Sequence, residues 1–145
     1  TIVTGVQTCA LPIFDTDFTK AVASGLVGQT MDNGSVGCVE FATKFGSYFS
    51  KFLADELSKG TVNVDVLMQN ARAAGLQYVT SGTPAKGDII VYNNSTDGYN
   101  HVVIADGQGG YYGNSSSQNK GVHGSDFHEM GGWTNYAGFI SLQGK

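Results

Sequence analysis

The chain holds two cysteines, and one of them stands where a helix is expected to begin. Cys38 sits in the stretch Asn33-Gly-Ser-Val-Gly-Cys-Val-Glu-Phe-Ala42, a glycine-containing loop running into a helical pattern. At a helix head the unpaired backbone N–H groups and the positive end of the dipole favour an anion, so a lowered thiol pKa is expected there. Cys38 is the candidate nucleophile, although a free cysteine is also a common small buried hydrophobe. A thiol enzyme needs a base that takes the proton and returns it to the leaving group, and a third polar group to orient that base. His101 opens the apolar run His101-Val-Val-Ile-Ala105 after a turn rich in glycine and asparagine. The sheet would fix its backbone and leave its side chain at a rim; a purely structural histidine fits the same position. Asn114 lies just past Tyr111-Tyr112 and would face the far side of His101 if the flanking strands form a hairpin about Asp106–Gly110. Taken alone it reads as a turn residue. Cys38, His101, His123 and His128 are also types that bind zinc, but neither a paired-cysteine nor a His-Glu-x-x-His motif accompanies them. No metal and no other cofactor is expected.

The elements that must hold these residues follow from periodicity. A short amphipathic helix is expected over Phe18–Val27. From Cys38 onward Val39, Phe41, Ala42, Phe45, Phe49, Phe52, Leu53 and Leu57 recur at three- and four-residue steps, as on one buried helical face. Gly46-Ser47 is expected to split that helix and Gly60 to end it. Asn63 or Asp65 can cap a further helix, with Val66, Leu67, Ala71 and Ala74 inward and Gly75 at its end. After Pro84 the pattern shortens to β-rich runs at Asp88–Tyr92, His101–Ala105, Gly110–Tyr112 and Ala137–Leu142, separated by turn-forming clusters. Helices first and an antiparallel sheet afterwards predict an α+β fold.

Composition narrows the function classes. The 145 residues are 41% hydrophobic and 14% charged, enough for one domain with a real core and unlike a disordered chain or a coiled coil. A net charge of -4 without a Lys/Arg cluster leaves no footprint for nucleic acid or an anionic membrane surface. No stretch is long and apolar enough to span a bilayer. The start of the chain reads differently: Val3–Ile13 resembles the translation of a sequencing adapter read into an open reading frame. Residues 1–13 are therefore set aside from fold reasoning, and residues 14–145 are taken as a single domain. On that reading the natural start of the gene is missing, no signal peptide is present in this fragment, and Cys9 is no evidence for a disulfide. A Cys9–Cys38 bridge in a secreted protein is the competing reading.

The cysteine at a helix head, Lys86-Gly-Asp-Ile-Ile-Val-Tyr92, Asn100-His-Val-Val-Ile104 and Gly110-Tyr-Tyr-Gly-Asn-Ser-Ser-Ser117 together resemble the papain-like cell-wall peptidases of the NlpC type. They are also similar to the related cysteine, histidine-dependent amidohydrolase/peptidase (CHAP) domains, and Gly37-Cys-Val-Glu40 leans towards that group or a divergent branch. The resemblance covers roughly residues 30–145, with Gly37-Cys-Val-Glu40 in place of the usual Asp-Cys-Ser-Gly of NlpC-type domains. It implies N-terminal helices packed on an antiparallel sheet, and attack by Cys38 on an amide of a peptidoglycan stem or cross-bridge peptide. His101 would be the base and then the acid. The third residue of the family falls at Gly113, with Asn114 next to it, so Asn114 is assigned that role. Gln29 would be an oxyanion donor, as papain-like enzymes place a glutamine upstream of the nucleophile. The tyrosine that NlpC-type enzymes carry before the cysteine has no counterpart. Tyr111, Tyr112 and Trp133 could line a substrate groove, or belong to the core. The expected partner is thus a peptidoglycan peptide, met by a monomer or by part of a larger multidomain or phage-tail protein, in a secreted, wall-associated or phage-borne setting. The alternative function is a wall-binding or phage-tail structural module of the same fold without activity.

Overall fold

The computed structural model describes residues 14–32, 37–94, 98–129 and 136–142, and over these the helices precede the strands. Residues 1–13, expected to stand apart from the fold, and residues 33–36 lie outside them. Helix α1 covers residues 14–23, earlier than the expected Phe18–Val27, and α2 (Gly37–Gly46), α3 (Lys51–Lys59) and α4 (Val64–Ala73) follow. The long apolar pattern does break at Gly46: a side chain there would collide with Leu53, so glycine lets α3 fold back on α2. Ser50 caps α3 by accepting the Leu53 N–H at 3.1 Å, and Gly60 closes it with φ 75°. Asn63 is the cap of α4, its Oδ1 accepting from the N–H groups of Asp65 and Val66. Buried Glu56 joins the two helices by accepting from Asn70 Nδ2 at 2.7 Å and Thr61 Oγ1 at 3.0 Å. Leu57, Val66 and Ala74, expected inward, are exposed; the inward face of α4 is Val64, Leu67 and Ala71.

Six strands form one antiparallel sheet in the order β1-β6-β2-β3-β4-β5. They are β1 (Gln77–Val79), β2 (Ile89–Asn94), β3 (Gly98–Ala105), β4 (Tyr111–Ser115), β5 (Lys120–Gly124) and β6 (Tyr136–Ser141). The fold is α+β, as the sequence predicts. One face of the sheet, with Ile89, Val91, Val102, Ile104 and Ile140, packs against Phe41, Phe45, Leu53 and Leu67 of the helices. The other face carries a smaller cluster of Ile90, Tyr92, Val103, Ala105, Tyr111 and Phe127. Burying one such side chain contributes about 1.5–3 kcal/mol, so the helix-covered face dominates stability. His101 does not open its strand: β3 begins at Gly98, and part of the expected Asn93–Gly98 turn continues the ladder as Asn93↔Tyr99 and Asn94↔Gly98.

Two tethers outside the ladders hold the ends of the sheet. The segment before α2 runs along β5: Gly28 N–H donates to the Gly121 carbonyl at 2.7 Å, Gly121 N–H to that of Gln29 at 3.0 Å, and Met31 N–H to that of Asn119 at 3.1 Å. At the other end, the buried Asp88 carboxylate accepts from the N–H groups of Ala85 at 2.8 Å and Leu142 at 3.1 Å. The Gly-Asp of the first predicted strand is thus a staple between the start of β2 and the end of β6. Replacing Asp88 by Ala strands the buried Leu142 N–H and frees the part-buried Ala85 N–H, and should lower unfolding free energy by about 2 kcal/mol. Urea denaturation checks this; a wild-type midpoint would refute it.

Candidate active site

Strand β3 parts from β4 early. The two pair only at Ile104↔Tyr112 and Ala105↔Tyr111. Ala105 exchanges backbone hydrogen bonds with Gly87 and Asp88 on the β2 side, so by strand alternation the N–H of Val102 points to the β4 side, beyond the end of that ladder. The Cys38 sulfur meets it there, and Val102 N–H donates to the thiol. Cys38 is a free thiol, 5% exposed, in the first turn of α2. Burial pushes its pKa above the ordinary value, outweighing the backbone N–H groups of Val102, Val39 and Cys38 itself, which draw it down. The lowered pKa expected from the helix head is therefore reversed. The dipole of a helix end contributes about 0.3–1 kcal/mol, less than burial of a thiolate costs.

The amide that meets the sulfur is the one joining His101 to Val102, so Cys38 lies against the backbone beside His101, on the helix-covered side of the sheet, at the opening where β3 has no β4 partner. His101 is 2% exposed. It pairs in register with Tyr92 and its ring lies 5.9 Å from that of Tyr92, on the face away from the helices. The β2 register slips at this point on both sides, between Tyr92 and Asn93 towards β3 and between Val91 and Tyr92 towards β6. Such bulges re-aim side chains beside functional sites. Tyr92 is itself anchored, its hydroxyl donating to the Phe127 carbonyl at 2.6 Å. Burial lowers the His101 pKa to about 4. At neutral pH the thiol is therefore protonated and the imidazole uncharged.

Asn114 is buried, at 3% exposure, on the thiol side of the opening. Its Nδ2 donates to Asn119 Oδ1 at 3.3 Å, while its Oδ1 is buried with no hydrogen-bond partner among the described residues. Both amides press on the head of α2: a Cβ on Gly37 would stand 2.7 Å from Asn119 Oδ1 and 2.8 Å from Asn114 Nδ2. Only glycine admits that approach in the residue before Cys38. Asn119 was not anticipated. Its signal was local, an asparagine closing the polar run Ser115–Gln118, and it holds the left-handed backbone that asparagine tolerates, with φ 51°.

The other expected residues do not converge on the opening. Gln29 is exposed, its carbonyl engaged by β5. Tyr111 and Tyr112 project to opposite faces, Tyr111 into the smaller cluster and Tyr112 against Phe45 at 5.1 Å between rings, so they cannot line one groove together. Trp133 lies outside the described residues. His123 is held 2.9 Å from Asp106 and stacks on Tyr112, and His128 pairs with Asp126 at 3.0 Å. Neither joins Cys38 and His101, and no group of three metal-binding side chains stands together among the described residues.

Two measurements test the electrostatics. In a Cys9→Ser background, iodoacetamide should modify Cys38 slowly at pH 7–8, the rate rising only above the ordinary thiol range; a midpoint near neutrality would contradict the burial. The folded pKa of His101 lies below its unfolded value. Between about pH 6.5 and 4 the unfolded chain therefore binds the extra proton, and stability present above pH 6.5 is lost as pH falls through that window. The loss should be about 3 kcal/mol, and His101→Gln should flatten that part of the stability–pH curve. Identical slopes in both proteins would refute it.

Beyond this geometry, comparison with known families gives one result. A family model described as the CHAP domain matches residues 29–119, more than half of the 145 residues and a span that contains Cys38, His101, Asn114 and Asn119. No curated protein matches the chain.

Proposed function

The chain belongs to the CHAP domain family, a family of peptidoglycan hydrolases and amidases, and from that premise we propose that it cleaves an amide bond of the cell-wall stem or cross-bridge peptide by a thiol mechanism. The observation that carries this reading is the Cys38 sulfur seated on the peptide that bears His101. With a neutral pair at rest, His101 takes the thiol proton as the sulfur attacks the carbonyl carbon. Catalytic hydrogen bonds of this kind often tighten only once substrate is bound. The oxyanion is met by the Cys38 N–H, one of the helix-head donors with no partner inside α2. The imidazolium then protonates the departing amine as the C–N bond breaks, and water, deprotonated by His101, releases the acid from the thioester. Asn114 supplies the third polar group, its buried Oδ1 having no hydrogen-bond partner among the described residues.

The protein acts as a monomer on peptidoglycan outside the membrane, whether secreted, wall-associated or carried by a phage. Its net charge of -4 gives nucleic acid no purchase, and among the described residues no helix is long and apolar enough to cross a membrane. A second reading, a wall-binding or tail module without activity, is favoured by the cover over the pair, Cys38 and His101 both being buried. Incubation with purified peptidoglycan and mass analysis of released peptides separates the two. Wild type should release new amine and carboxylate ends, and Cys38→Ala should lower the rate by at least about a thousandfold while keeping the circular dichroism spectrum. Equal release by both proteins would reject the thiol mechanism, and release by neither would favour the module.

A further inference from the structure

A carboxamide has two ends of nearly the same shape and opposite function, and only its neighbours decide which end faces where. For Asn114 the decision can be traced outward. Its Nδ2 donates to Asn119 Oδ1 at 3.3 Å, which requires the Asn119 oxygen, an acceptor, to face it. Asn119 is turned that way because its own Nδ2 donates to the Met31 carbonyl at 2.9 Å. The Met31 carbonyl can only accept, so the sequence of choices ends there. The backbone fixes the same geometry: Asn119 N–H donates to the Ser115 carbonyl at 2.7 Å, and the Asn119 carbonyl accepts from Met31 N–H at 3.1 Å. The end of Asn114 left over is Oδ1, buried where β4 meets the head of α2.

We propose that Asn119 is a positioning residue: relaying the polarity of the Met31 carbonyl, it holds the Asn114 carboxamide with its nitrogen against Gly37, beside Cys38, and its oxygen turned away from Asn119. The inference rests on the thiol-hydrolase reading for its catalytic consequence, but the relay itself is a matter of hydrogen bonds. Its two bonds can be cut separately. Asn119→Gly keeps the left-handed backbone and removes both, leaving Asn114 free to turn over. Asn119→Asp keeps an acceptor for Asn114 Nδ2 but loses the donor to Met31, and sets a carboxylate against that carbonyl.

Kinetics on a soluble peptidoglycan fragment, with melting temperatures alongside, distinguish a relay from a structural clasp. Asn119→Gly should lower kcat at least about tenfold with KM changed less than about twofold, since misplacement near the reacting atoms acts chiefly on the chemical step. Asn119→Asp should retain kcat within about threefold of wild type despite a lower melting temperature. Wild-type kcat in the glycine variant, or an aspartate variant that falls as far as the glycine one, would overturn the proposal. Should wild type itself release nothing, the hydrolase reading fails, and side-chain amide NMR decides the relay. Hydrogen exchange at Asn114 Nδ2 should be slow in wild type and Asn119→Asp, and fast in Asn119→Gly; equal exchange in all three would refute it.

Discussion

An N–H group at the open margin of a strand needs a partner, and in this fold the Val102 amide is answered by the thiol of a helix. That contact is the hinge between the two layers. It exists because β3 leaves β4 after Ile104, which opens a place in the plane of the sheet, and because α2 begins with a residue lacking a side chain, which lets β4 close on its head. Burial of the thiol and of the imidazole leaves both groups uncharged at neutral pH.

The two faces of the sheet contribute differently. The helix-covered face is almost wholly apolar, its aromatic rings stacked from Phe41 to Phe45 to Tyr112 at 5.3 and 5.1 Å between centroids, and it supplies the rigidity that fixes where α2 starts. The opposite face sets Tyr136, Tyr92 and His101 in a row across β6, β2 and β3. Rings on that side deprive the imidazole of water, which is the cause of its weakened basicity. Packing on one side therefore governs position, and packing on the other governs proton affinity.

Much of this was readable before any coordinates. The apolar spacing after Cys38, the Asn63 cap and Gly60 stop, and the runs that became β2, β3, β4 and β6 all carry local signals strong enough to survive folding. Strand β1 has three residues, too few for a period, and β5, Lys-Gly-Val-His-Gly, has two glycines and one apolar side chain, so alternation could not announce it. The lowered thiol pKa that a helix end suggests is a local expectation, whereas desolvation depends on what packs over the sulfur, including strand β3 far along the chain. The Asn119 link was invisible for a related reason: its partner Met31 stands 88 residues earlier in sequence, and nothing in either neighbourhood names the other.

The run along β5 has an effect of a different kind. An outermost strand ordinarily displays a row of hydrogen-bonding groups on which a second molecule can polymerise. Here the bridges Val27↔Gly121 and Thr30↔Lys120 occupy that row with the chain's own backbone, and at the far margin β1 offers only three residues. Both rims of the sheet are therefore poor templates for strand-by-strand growth.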